Sequence, residues 1–462
     1  MRSIFNSWKK TNNKDAKPLK TRLGIKPGLY HFRRETPKEK TRLHLRMDPD
    51  SHGTLVINAN QILHLNPTAA QICYYHLSGL NTLEIKKRMD QTWEDGKDRI
   101  TSDIENITRD IKSFIHSNGK PIIPASEVEI NAPYSLHPLA PYRMDLALTY
   151  RCNNDCPHCY NARTRNYPEL STEKWITILD RLFELSIPHV IFTGGEPTLR
   201  EDLAILIHHA ESLGLITGLN TNARRLSNPE YVKELVDAGL DHIQITLESH
   251  NPQIHDEMVN SSGAWSQTVS GIKNALAGSL FVMTNTTMLQ NNYRKMDQTL
   301  DFLAQLGVPT IGLNALIYAG KGKDVGTGLA EDQLEPLLST AREKTEQNGQ
   351  RLIWYTPTLY CRFNPLEHDL GVKGCTAALY NMCIEPDGGV LPCQSYYQQL
   401  GSILSDPWEK IWEHELAVRL RNREYLPQKC RSCHLAEECG AGCPLSLADK
   451  KDLIEPILPP SI

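Results

Sequence analysis

The sequence predicts an α/β protein built on a parallel sheet, with a small winged-helix-like α+β module before it and a cysteine-rich extension after it. Three observations lead there. From Met144 to about Asn348, short apolar runs alternate with amphipathic helical stretches, the pattern of successive βα units. Residues from about 40 to 65 alternate apolar and polar positions, and helical periodicity follows. Beyond residue 349 the chain turns loop-rich, and eight of its twelve cysteines fall there.

Composition narrows the class. A chain of 462 residues has room for about three domains. Its 40% hydrophobic and 23% charged residues are ordinary for a soluble globular protein. No apolar run is long enough to span a membrane, and Met1–Lys10 lacks the apolar core of a secretion signal. Twelve cysteines without an export signal point to metal or redox chemistry in a reducing compartment, so a cytoplasmic location is expected. The net charge of −4 favours no partner, although residues 1–39 are locally basic. They read as a solvated, partly disordered tail, with attraction to an acidic peptide or redox partner as the alternative.

Residues 40–118 form the first module. Arg42–Met47, Gly53–Asn58 and Gln61–Leu65 have strand patterning. Asn66 is placed to cap a helix that opens on Pro67, with Ala70, Ile72, Cys73, Tyr74 and Leu77 favouring one face. A second helix follows Thr82, carrying Leu83, Ile85 and Met89. A third, from about Thr101 to Ile115, spaces Ile104, Ile107, Ile111 and Phe114 helically. Its Asp103, Glu105 and Asp110 against Arg109 and Lys112 disfavour nucleic-acid binding. Residues 55–70 resemble the peptide-chaperone protein of pyrroloquinoline quinone biosynthesis, one of the recognition elements for ribosomally made, post-translationally modified peptides. The resemblance implies that a precursor peptide's leader adds as a strand to the sheet edge. An unrelated small helical domain is the alternative.

A proline-marked linker, 119–143, leads to residues 144–348. Strands are expected at Asp145–Thr149, His189–Thr193, Leu215–Asn220, His242–Thr246, Phe281–Thr287 and Thr310–Ala315. Helices are expected from Ser171 to near Ser186, at Tyr231–Ala238 and at Arg294–Leu306. After the first strand come Cys152, Cys156 and Cys159, spaced C-x3-C-x2-C, a pattern able to hold three irons of a [4Fe–4S] cluster and leave the fourth open. Structural thiols, or three of four zinc ligands, are the bland readings. After the second strand comes Thr193-Gly-Gly-Glu-Pro197, whose glycines let backbone approach a ligand.

Together these motifs resemble the radical S-adenosylmethionine (radical SAM) enzymes, and the six βα units resemble their partial (β/α)6 barrel, with chemistry at the strand C-terminal ends. The resemblance implies that the open iron chelates SAM and passes one electron to its sulfonium, releasing a 5′-deoxyadenosyl radical. It further implies SAM contacts from Thr193, Gly194, Gly195 and Glu196, from Asn222 in Thr221-Asn-Ala223, and from Thr246 and Glu248 in Thr246-Leu-Glu-Ser249. Ala223 stands where the family often has glycine. His158 stands where it usually has an aromatic residue, and its side chain is expected to pack. A flavodoxin- or ferredoxin-type electron donor is implied as partner.

Residues 349–462 carry Cys375-x12-Gly388-x4-Cys393 and then Cys430-x2-Cys433-x5-Cys439-x3-Cys443. This order resembles the SPASM extension, which binds auxiliary Fe–S clusters; a zinc site from the last four cysteines is the alternative. By resemblance one auxiliary cluster uses Cys375, Cys393 and Cys443, with Cys361 as fourth ligand and Cys383 as its competitor. A second uses Cys430, Cys433 and Cys439. The family's last cysteine is missing, so Asp449 or Asp452 substitutes, or an iron stays open, or the second cluster does not form. The expected function is maturation of a precursor peptide through a thioether or carbon–carbon crosslink. The alternatives are sulfatase maturation and modification of a porphyrin- or quinone-type cofactor. Gln394, where sulfatase-maturing relatives have aspartate after the cysteine, counts against the former.

Overall fold

A computed structural model describes residues 25–36, 39–58, 61–92, 97–116 and 138–448. Residues 1–24, most of the linker, and both Asp449 and Asp452 lie outside the described residues. The chain divides into two compact units, one within 1–32, 45–55 and 62–129, the other within 33–44, 56–61 and 130–462.

Strands β1 (Gly28–Thr36), β2 (Glu39–Met47), β3 (Gly53–Ile57) and β4 (Gln61–Leu65) form a sheet in chain order, so β1 and β4 are its edges. β1 was not expected: it falls in the stretch read as a basic tail. Its Tyr and Phe suit a strand, and Tyr30 packs edge-on against Tyr74 with ring centroids 4.9 Å apart. Three helices follow, α1 (Pro67–Leu77), α2 (Thr82–Thr92) and α3 (Lys97–His116). Asn66 caps α1 as expected, its side-chain oxygen accepting from the Ala69 N–H at 2.9 Å, with Pro67 at the first position. Ile72, Ile85, Met89, Ile104 and Ile111 are buried, whereas Leu83 is 79% exposed.

The second unit holds a ten-stranded sheet. In chain order its elements are β5 (Arg143–Thr149), α4 (Thr172–Glu184), β6 (His189–Gly194), α5 (Leu203–Ser212), β7 (Ile216–Thr221), α6 (Pro229–Asp237), β8 (His242–Thr246), α7 (Pro252–Val259), α8 (Ala264–Ala277), β9 (Phe281–Thr287), α9 (Met296–Gln305), β10 (Thr310–Asn314), α10 (Glu331–Gln347) and β11 (Arg351–Trp354). The C-terminal region adds β12 (Asn381–Ile384), β13 (Gly389–Leu391) and β14 (Gly401–Ser402). The spatial order is β11-β10-β9-β8-β7-β6-β5-β12-β13-β14. Strands β5 to β11 pair in parallel, each with the next in chain order. β5 to β10 are the six expected strands. β12 then joins parallel to β5, with Cys383 opposite Asp145, before β13 and β14 turn antiparallel. The extension therefore continues the barrel sheet instead of standing beside it.

Residues alternate across the sheet as a strand requires. On β5, Met144, Leu146 and Leu148 are fully buried, and Asp145, Ala147 and Thr149 take the opposite face. No helix among the described residues is long and apolar enough to cross a membrane.

Candidate functional site

The three cysteines of the first motif lie in the loop that leaves the C-terminal end of β5. That loop is fixed by its own backbone: Cys159 N–H donates to Cys156 O at 3.2 Å, and Asp155 N–H to Val259 O at 3.0 Å. Asn154 N–H points at Cys152 Sγ, 3.4 Å away. All three are free thiols and partly accessible. Burial pushes the Cys156 thiol well up, and the neighbouring Cys159, Glu248 and Cys152 push it further. Among the described residues no group of three His, Cys, Asp or Glu side chains is gathered around a point suited to a single metal ion. Three thiolates in one loop are the soft, charged donors that iron–sulfur clusters take. The donor set fits.

Gly194 and Gly195 close β6 against this loop. Gly195 N–H donates to Thr149 O at 2.7 Å, and Glu196 N–H to Arg151 O at 2.8 Å. A Cβ on Gly195 would stand 2.3 Å from Arg151 O, and one on Gly194, at φ 136°, would stand 2.1 Å from Thr149 O. The glycine pair is therefore needed for the loop to dock, before any ligand arrives.

The other expected residues gather at the same ends of β6, β7 and β8, with their side chains already engaged. Glu196 is buried and accepts from Thr198 N–H (3.1 Å) and Oγ1 (2.6 Å), Thr221 Oγ1 (2.6 Å) and Asn222 N–H (2.8 Å). Burial raises its carboxyl above the ordinary value, against these bonds, which favour the carboxylate. Asn222 donates through Nδ2 to Asn153 Oδ1 at 2.6 Å, tying β7 to the cysteine loop. Ala223 adopts a left-handed φ of 59°, the conformation glycine would supply freely. Thr193 is buried and Thr246 half-buried. Glu248 accepts from His158 Nε2 at 3.0 Å and from Thr287 N–H at 2.9 Å. His158, expected to pack, is thus hydrogen-bonded into the strand ends.

Four residues that sequence reasoning passed over hold the loop from outside. Arg224 donates to Asn153 O, and to Asn154 Oδ1 and Ser261 Oγ, both at 2.9 Å. Lys321 reaches Asp155 at 2.5 Å, and Gly322 N–H donates to Cys159 O at 3.2 Å. Arg165 donates to Asn154 O at 2.9 Å. Only the Gly320–Lys323 turn had a signal, in the Ala319-Gly-Lys-Gly322 run.

The C-terminal cysteines sort into two sets of neighbouring thiols. Burial raises the Cys375 thiol, and Cys443 and Cys393 beside it raise it further. Burial likewise raises Cys430, helped by Cys439, Cys361 and Cys433 and opposed by Lys429. Cys361, expected beside Cys375, instead stands with the second set. The cause is the turn before it: Tyr360 N–H donates to Cys439 Sγ at 3.4 Å, and that thiol faces Thr358 O at 3.7 Å. Cys383 is buried on β12, where burial, Asp145, Cys393 and Glu385 in that order push its thiol up.

Between the cysteine sites runs a polar chain. Tyr160 OH donates to Gln394 Oε1 at 2.5 Å, and Gln394 Nε2 donates to Asp145 Oδ2 at 2.7 Å. Beside it, Arg163 grips the buried Glu385 with two bonds of 2.7 and 2.9 Å, and Tyr150 OH donates to Glu385 at 3.1 Å.

Comparison with known proteins agrees with this geometry. Residues 146–303 match the Radical SAM superfamily, and residues 375–434 match SPASM, an iron-sulfur cluster-binding domain. Among solved structures, Streptococcus suis SuiB bound to precursor peptide SuiA is 18% identical, covering 87% of this chain and 94% of that one, with a TM-score of 0.67. SuiB bound to S-adenosylmethionine is 18% identical, covering 88% and 95%, at 0.64. The protein anSMEcpe with bound AdoMet is 18% identical, covering 66% and 90%, at 0.55. At these identities the likeness is one of fold.

Proposed function

Taking as premise that the chain is a radical SAM enzyme with a SPASM iron–sulfur domain, we propose that it matures a ribosomally made precursor peptide by forming a thioether or carbon–carbon crosslink. The observation that carries this reading is the sheet of the first unit. β4 is an edge strand, and its Ile62 is 41% exposed. An edge offers unpaired N–H and C=O groups that an extended peptide satisfies by strand addition, with side chains such as Ile62 setting register. A chain of the same fold, SuiB, has been solved bound to its precursor peptide.

Cys152, Cys156 and Cys159 would hold the cluster that binds SAM. Cys361, Cys430, Cys433 and Cys439 would hold one auxiliary cluster with four thiolates. Cys375, Cys393 and Cys443 would hold another with three, leaving a position for a substrate group. When bound, the first cluster and SAM would supply one-electron radical chemistry, and the auxiliary clusters would supply an electron acceptor for it.

The protein's own part is placement. Glu196 fixes the ends of β6 and β7; Glu248 and His158 fix the cysteine loop to β8. Sulfatase maturation is disfavoured, since Gln394 stands in place of a carboxylate and both ends of its amide are occupied, by Tyr160 and Asp145. An amide is not a proton acceptor as a carboxylate is.

The test is a binding titration of the full chain, and of a chain lacking residues 1–118, with a candidate precursor peptide. The expected result is binding by the full chain only, with SAM cleavage retained by both. Equal binding by the truncated chain would take peptide recognition away from the first module, and binding by neither chain would move weight to a small-molecule substrate.

A further inference from the structure

Of the three cysteines in the first loop, Cys152 has surroundings unlike its neighbours'. Arg165 lies in irregular chain between Cys159 and α4, and its guanidinium folds back over the loop. Nη2 donates to Asn154 O at 2.9 Å and to Asp155 Oδ1 at 3.2 Å, and Nη1 reaches Tyr150 O at 3.4 Å. These acceptors lie on both sides of Cys152, so the guanidinium charge is held over the chain beside it. Asn154 N–H points at the Cys152 sulfur from 3.4 Å. Cys156, by contrast, faces other thiols and Glu248. Anions near Cys152 are the buried Glu196 and the exposed Asp155, and Asp155 is itself neutralised by Arg165 and by Lys321 at 2.5 Å.

A fixed positive charge beside a ligating sulfur favours the state with one more electron. We propose that Arg165 raises the reduction potential of the cluster that Cys152, Cys156 and Cys159 would hold, so that a low-potential one-electron donor can fill it. One electron enters and no bond breaks. Arg165 is a positioning residue here, acting through its charge and its bonds to the backbone on either side of Cys152. Its side chain is 38% exposed, so added salt weakens the effect.

The test is a redox titration of the reconstituted full chain with dithionite, followed by electron paramagnetic resonance. The relevant cluster is the one whose signal changes when SAM is added. In Arg165→Gln the reduced-to-oxidised ratio of that cluster at a fixed potential is expected to fall about tenfold, a midpoint about 59 mV more negative for one electron. Clusters held by the C-terminal cysteines keep their midpoints, which a general unfolding effect would not allow. Arg165→Lys keeps the charge and loses the fork that spans Tyr150 O and Asn154 O, so a shift of about threefold in the same direction is expected. Iron content is measured for each variant. Where the Gln variant fails to load, the Lys variant decides. An unchanged or more positive midpoint, or a common shift of all clusters, would overturn the proposal.

Discussion

Replacing Gly195 with alanine separates the docking of the cysteine loop from everything else the glycine motif does. The new Cβ would lie 2.3 Å from Arg151 O, 2.6 Å from Tyr150 O and 2.7 Å from Tyr150 C, all backbone atoms. Ordinary contact begins at 3.4 Å, so the loop must withdraw by about 1 Å. Overpacking of this kind costs about 1–3 kcal/mol. Withdrawal also strains the bonds from Gly195 N–H to Thr149 O and from Glu196 N–H to Arg151 O, each contributing about 0.5–1.5 kcal/mol. The site therefore loses about 2–6 kcal/mol, or moves; a 1 Å misplacement costs on the order of 10²-fold in rate. The assay is 5′-deoxyadenosine formation from SAM under dithionite, with iron counted on the same sample. The expected outcome is a fall on the order of 10²-fold, with the iron of the C-terminal cysteines retained. A wild-type rate in a fully loaded variant would refute the packing argument.

Three further outcomes are expected. Cys361→Ala should lose one cluster's worth of iron while Cys383→Ala loses none, because Cys361 stands with Cys430 and Cys439 whereas Cys383 is buried on β12; the reverse pattern would make Cys383, the competing candidate, the fourth ligand beside Cys375. Ala223→Gly should raise the unfolding free energy from denaturant titration by about 1 kcal/mol, the strain of an L-residue at its left-handed φ; a loss of stability would show that Ala223 packing outweighs it. Acid should destabilise the barrel through His189 and His242, whose Nε2 atoms are 2.8 Å apart in a part-buried pair. Burial holds His189 well below its ordinary value, with His242, Arg143 and His44 adding to it, and holds His242 at about 4. The unfolded chain therefore takes up protons first, and stability falls as pH drops from about 6.5 to about 4, at about 1.4 kcal/mol per pH unit for each histidine. His242→Gln should flatten that slope in pH-dependent denaturant titrations.

Much of the fold was legible because its period is local. The six strands β5 to β10 each carry a short β-branched or apolar run bounded by turn residues, and the Asn66-Pro67 start of α1 is a cap visible in two letters. β1 was missed because basic residues on either side masked its Leu29, Tyr30 and Phe32. The joining of β12 to β5 was hidden for another reason: a four-residue strand such as Asn381–Ile384 says nothing of which edge it will pair with, since register is set in space. The same limit governed the cysteines. Spacing in the chain singled out the thiols expected to bear metal chemistry, but the Thr358–Cys361 turn, folded onto Cys439, decided the company Cys361 keeps. Arg165 and Arg224 left no mark in the sequence, since an arginine earns its role only by what its fork reaches.

The central claim is that this chain modifies a peptide by radical chemistry, and mass spectrometry of the peptide tests it most directly. The reconstituted full chain is incubated anaerobically with dithionite, SAM and a candidate precursor peptide. The account predicts 5′-deoxyadenosine together with a peptide lighter by the hydrogens lost in a crosslink, and neither product from the Cys152→Ala, Cys156→Ala, Cys159→Ala variant. An unmodified peptide in the presence of ample 5′-deoxyadenosine would contradict it.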